Sequence, residues 1–214
     1  MSDFSRPIRV ACVGDSITYG AGIKDRKKQS YPARLGEMLG AKWDVKNFGV
    51  SGATMLKNGD KPYWKVALDK AVDFKPDVVV IKLGTNDSKP KNWKYKNEYS
   101  PDYLAMIETF EQTDGKPRIW LCYPVPVYRD GKFNISRSVV RDEIVPKIRK
   151  LARKKNLPTI DLYQALSENG ELFPDGIHPN AEGAKLIAEE VYRTLTGKFY
   201  DITIQVNATA GMKL

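Results

Sequence analysis

Short runs of β-branched and other apolar residues alternate along the chain with longer stretches whose apolar positions recur at helical spacing. The runs are IRVACVG (Ile8–Gly14), WDVKNFG (43–49), DVVVIKLG (77–84), RIWLCYPV (118–125) and PTIDL (158–162). The amphipathic stretches cover 31–39, 64–74, 103–110, 139–154 and 181–195. Five strands, each followed by a helix, predict an α/β protein in which a five-stranded parallel sheet is covered on both faces, a three-layer sandwich. The unbroken apolar character of VVVIKL fits a strand buried on both sides. With no repeat, low-complexity segment or long linker, one domain is expected over residues 1–197. The remaining 198–214, KFYDITIQVNATAGMKL, alternates like an edge strand and is expected to pack on the domain or to begin a further region.

Composition agrees with that class: 214 residues, 42% hydrophobic and 29% charged, are the balance of a globular domain with a sizeable core. The net charge of +9 attracts anionic partners in principle, but the lysines are scattered, with short runs at 24–28, 89–96 and 147–155. No basic helix is interleaved with base-stacking aromatics, so a solvated surface is expected rather than a nucleic-acid interface. Apolar runs such as 78–81 and 119–123 are far short of a membrane span, and the start MSDFSRPIRVACVG lacks the apolar core of a signal peptide. A soluble chain is expected, with its compartment and oligomeric state left open. Cys12 and Cys122 each lie in an apolar run and read as core thiols, implying neither a disulfide nor a metal site.

In open α/β sheets ligands bind at the carboxyl ends of the strands, so the segments just after each strand are where chemistry is expected. They are GDSIT (14–18), GVSGAT (49–54), GTND (84–87), YPVPVY (123–128) and, after a loop, DGIH (175–178). Neither phosphate-cradling glycine motif follows a strand, and one histidine with two separated cysteines is too little for zinc. No carboxylate pair is singled out by spacing for glycoside hydrolysis. Acyl transfer fits better, because it needs a hydroxyl nucleophile, a base that titrates near neutrality, a carboxylate to orient that base, and donors for an oxyanion. Ser16 supplies the hydroxyl, and His178, the sole histidine, is the one side chain with an ordinary pKa near neutrality. Asp175 lies within one turn of that imidazole, Gly52 presents an unshielded N–H, and Asn86 carries an amide NH2. Each has a plainer reading: Ser16 and Asn86 as helix caps, Gly52 as a turn glycine, Asp175 with His178 as a hydrogen-bonded turn. Asp15 and Asp87 read as loop buttresses, with hard-metal binding as the alternative. Trp64, Trp93 and Tyr123, like Asp15, are candidates to line a substrate pocket, and packing explains the aromatics equally well.

The four blocks GDS, GVSGAT, GTND and DGIHPN, in that order from Val10 to Leu195, resemble those of the SGNH hydrolases, also called GDSL esterases and lipases. The resemblance implies a flavodoxin-like fold and a serine esterase acting through an acyl-enzyme. It makes Ser16 the nucleophile, His178 the general base and Asp175 its orienting carboxylate, and makes the Ser16 N–H, the Gly52 N–H and the Asn86 side chain the oxyanion donors. The usual leucine after the serine is Ile17 here. The family's sheet order also places the first and fourth strands apart, in keeping with two unpaired cysteines. No cofactor is implied. The absence of a large apolar lid favours acetyl groups on carbohydrate. The alternatives are a lysophospholipase, thioesterase or arylesterase of the same family, or an inactive carbohydrate-binding domain.

Overall fold

The computed structural model describes residues 6–198, so the tail expected as an edge strand lies, from residue 199 on, outside the described residues. Five parallel strands form one sheet in the order β2-β1-β3-β4-β5: β1 (Ile8–Gly14), β2 (Trp43–Gly49), β3 (Val78–Lys82), β4 (Arg118–Cys122) and β5 (Thr159–Ile160). The helices are α1 (Ser16–Tyr19), α2 (Arg26–Gln29), α3 (Tyr31–Leu39), α4 (Tyr63–Val66), α5 (Leu68–Asp73), α6 (Pro90–Trp93), α7 (Tyr99–Glu111), α8 (Val145–Lys155), α9 (Leu162–Ala165) and α10 (Ala181–Thr196).

The period of two along each strand divides the core. Val10, Cys12, Val78, Val80, Trp120 and Cys122 face α3, α9 and α10, meeting Leu35, Leu162, Ile187 and Val191. Ala11, Val13, Val79, Ile81, Ile119 and Leu121 face α5, α7 and α8, meeting Leu68, Met106, Ile107 and Ile148. Each aliphatic side chain so buried stabilises the fold by about 1.5–3 kcal/mol relative to leaving it in water. Cys12 and Cys122 are buried and unbonded, with β3 between their strands.

Departures from the expected elements have local causes. The stretch 64–74 is two helices, broken at Ala67 (φ −154°), which lets Tyr63 and Trp64 reach back to the Phe48 and Met55 carbonyls while Leu68 and Ala71 enter the core. Helix α7 starts four residues before the expected 103, with Pro101 in its first turn, where a missing N–H costs nothing. Residues 139–144 form a π-helical turn ahead of α8, and Pro146, without an N–H, cannot serve the Asp142 carbonyl. Strand β5 is only two residues long because Asp161 already caps α9, accepting from the Gln164 N–H at 2.8 Å.

Candidate active site

The first strand delivers Ser16 to the carboxyl rim. Asp15, not Ser16, caps α1: its Oδ1 accepts from the Ile17 N–H at 3.0 Å, leaving the serine as the first helical residue with its hydroxyl uncommitted to the helix. Helix α1 lies against the end of β2 so closely that a Cβ on Gly49 would meet the Tyr19 nitrogen at 2.2 Å, which only glycine permits. Ser16 is 8% exposed, and its Oγ lies 2.9 Å from His178 Nε2.

His178 comes from the turn before α10, whose own cap is Asn180, accepting from the N–H groups of Glu182 and Gly183. Asp175 organises that turn. Its Oδ1 accepts from the backbone N–H groups of Ile177 (2.8 Å) and His178 (2.7 Å), and its Oδ2 lies 2.7 Å from His178 Nδ1. The hydrogen-bonded turn and the carboxylate contact to the imidazole are thus one structure. Partial burial pushes the Asp175 carboxyl up, but the His178 and Ile177 donors outweigh it and hold the group below the usual carboxylate range. An ionised carboxylate only accepts, so Nδ1 carries the proton of the neutral imidazole and Nε2 presents a lone pair to the serine hydroxyl.

The remaining rim loops are tied together around this pair. Asn86 is 4% exposed and donates through Nδ2 to the Ala53 carbonyl at 3.2 Å, which leaves that nitrogen a second hydrogen beside the Gly52 loop. Gly52 has φ +83°, a left-handed conformation that a side chain would strain. Among the described residues no acceptor meets the N–H of Ser16 or of Gly52. Asn92 fastens the Asn86 loop, donating to the Asn86 carbonyl and to Asp60 Oδ1, each at 2.8 Å. Asp87 binds the N–H groups of Met55 (3.0 Å) and Leu56 (2.8 Å).

The four residues expected to line a substrate pocket have partners of their own. Asp15 is fully buried, and its two oxygens meet the ammonium of Lys82, also fully buried, at 2.9 and 3.1 Å, so no substrate reaches it. Asp15 and Asp87, open to hard-metal binding on sequence, are both committed to protein donors. Burial, with the charge of Asp15 adding to it, pushes the Asp87 carboxyl up to about 7 against the pull of its two N–H donors. Trp93 is 7% exposed and packs edge-on against Tyr99, with centroids 5.5 Å apart, inside the α7 core. Trp64 is half-buried, its Nε1 bound to the Met55 carbonyl at 2.8 Å and its ring covered by the Lys57 ammonium. Tyr123 is buried under Arg149 and borders a cleft between α8 and β5 in which none of Ser16, Asp175 or His178 takes part. Lys82 escapes the sequence reading, although a lone cation inside VVVIKL is the signal that marks it.

Residues 12–186 match the GDSL-like Lipase/Acylhydrolase family. A curated acetylxylan esterase of Xylanibacter ruminicola is 46% identical over 201 residues, which cover 85% of this chain; the chain spans 42% of that relative's length. Two solved structures share the fold. The carbohydrate acetylesterase Est24 of Sinorhizobium meliloti is 20% identical with a TM-score of 0.72, covering 89% of this chain and 99% of the other. An aryl esterase of M. smegmatis is 18% identical with a TM-score of 0.75 over the same shares.

Proposed function

The chain belongs to the GDSL-like lipase/acylhydrolase family, and from that premise we propose that it is a serine esterase removing acetyl groups from carbohydrate, with acetylated xylan as the first substrate to try. The observation that carries this reading is the unbroken relay from Asp175 Oδ2 to His178 Nδ1 at 2.7 Å and from His178 Nε2 to Ser16 Oγ at 2.9 Å. In this reading Ser16 Oγ attacks the acetyl carbonyl as its proton passes to Nε2, and the carbonyl oxygen becomes an oxyanion received by the Ser16 and Gly52 N–H groups and Asn86 Nδ2. The imidazolium, held by Asp175, then gives its proton to the departing sugar hydroxyl. Water, deprotonated by the same nitrogen, hydrolyses the acetyl-serine to acetate and restores the hydroxyl. The name of the 46% identical relative supports the acetyl and xylan parts.

Acetate release from acetylated xylan, run beside a series of p-nitrophenyl esters from acetate to octanoate, tests the reading. Release of acetate, with rates falling from acetate to butyrate, is expected. A maximum at octanoate with no acetate released from the polymer overturns the acetyl-carbohydrate reading.

A further inference from the structure

Among the described residues, one large apolar side chain stands out of the surface, and it stands beside the imidazole. Phe133 is 49% exposed, belongs to neither apolar core, and its ring centroid lies 5.5 Å from that of His178 with the planes at 59°. Its backbone is left-handed (φ 56°, ψ 25°), as is that of Asn134 (φ 60°), a conformation that a bulky residue rarely adopts. The loop is nonetheless fastened at both ends to the site. The N–H groups of Tyr128 and Arg129 bind the Gly176 carbonyl, between Asp175 and His178, at 2.8 and 3.3 Å. The Ser136 N–H binds Ser88 Oγ at 3.1 Å, two residues beyond Asn86. Across the loop Asp130 Oδ1 accepts from the Arg137 N–H at 2.6 Å, and Ile135 is buried.

We propose that the Phe133 ring is a platform on which the sugar carrying the ester stacks, and so a determinant of carbohydrate specificity; this rests on the acetylesterase reading of the site. The leaving oxygen must come within hydrogen-bond reach of His178 Nε2 to be protonated, so the ring bearing that oxygen lies on the imidazole side of the scissile bond, where Phe133 is. The C–H face of a pyranose presents partial positive charge to the negative face of an aromatic ring. The half-buried Lys132 holds its ammonium over one side of the Phe133 ring, 5.1 Å from the centroid, and brings N–H donors for the hydroxyls of a sugar stacked on the other.

The test compares two esters, an acetylated xylo-oligosaccharide and vinyl acetate, whose alcohol part has no ring to stack. In Phe133→Ala the ratio of kcat/KM on the oligosaccharide to that on vinyl acetate falls about 3- to 10-fold, the size expected of one stacking contact, mainly through KM. Phe133→Trp keeps the ratio, and Phe133→Leu, similar in bulk without a π-face, lowers it. An unchanged ratio in Phe133→Ala, including an equal loss on both esters, overturns the platform while leaving the acetylesterase reading intact. A wild-type chain that hydrolyses vinyl acetate but no acetylated sugar removes both.

Discussion

Two carboxylates sit beside the hydrogen-bonded Ser16–His178 pair, Asp15 next to Ser16 and Asp175 three residues before His178, and they meet opposite surroundings. Asp15 is fully buried and neutralised by the buried ammonium of Lys82. Asp175 keeps a third of its side chain in solvent and is held by three N–H donors, one of them the imidazole. The difference suits what each side does in the proposed mechanism. On the Ser16 side the proposed oxyanion donors are neutral and need only stay where they are, so a dry ion pair at the carboxyl ends of β1 and β3 can fix the loop permanently. On the His178 side the proposed mechanism makes a full positive charge appear and disappear in each turnover. A new charge in a dry interior would be costly, whereas beside a partly exposed carboxylate it is stabilised by both partner and solvent.

The comparison breaks most sharply at Asp175. Asp175→Ala removes the orienting acceptor and orphans two backbone donors, and kcat is expected to fall by about 10⁴-fold while the chain stays folded. A loss below tenfold in steady-state kinetics would mean that the imidazole is positioned without it. On the other side the expected effect is on stability. Lys82→Met leaves Asp15 buried without its counter-charge and should destabilise the fold by about 3–5 kcal/mol in chemical denaturation. Adding Asp15→Asn to Lys82→Met should recover part of that. A Lys82→Met chain as stable as the wild type contradicts the dry-clamp account.

The smallest effect concerns the pH dependence of stability, where the buried side and the open side differ in sign. Asp175 is depressed, so its contribution is present above the ordinary carboxylate range and lost as pH falls through its folded value. Asp87, pushed up to about 7, does the opposite: the folded state holds its proton longer, so stability declines as pH rises from the ordinary carboxylate range towards 7. Melting midpoints of the wild type relative to Asp87→Asn should therefore fall between pH 4 and 7 and level off above. A pH-independent gap would show that the buried carboxyl is not shifted.

The layers and the rim are legible in the sequence because both rest on short-range rules. Apolar runs of strand length alternate with helical periods, and the small polar segments GDS, GVSGAT, GTND and DGIH can only be the turns between them. What a side chain does at the rim is harder to read where its type serves two environments. Trp93 and Tyr123 carry the same residue-level signal whether they wall a pocket or fill a core, and only the placement of α6 and α8 decides it. Asp15 looks accessible because its neighbour must be. Its burial depends on Lys82, 67 residues away, arriving from the adjacent strand. Phe133 sits in GKFNIS, where nothing periodic marks it. Its outward display comes from a left-handed turn at which Gly131 and Asn134 only hint.

The central claim is that Ser16, activated by the sole histidine, forms the acyl bond. Treating the active protein with a fluorophosphonate and mapping the adduct by peptide mass spectrometry tests it most directly. One adduct, on the peptide carrying Ser16, with loss of hydrolysis in step and no labelling of Ser16→Ala or of protein pre-treated with diethyl pyrocarbonate, is the predicted result. Labelling of a different residue, or hydrolysis that persists in Ser16→Ala, would contradict it.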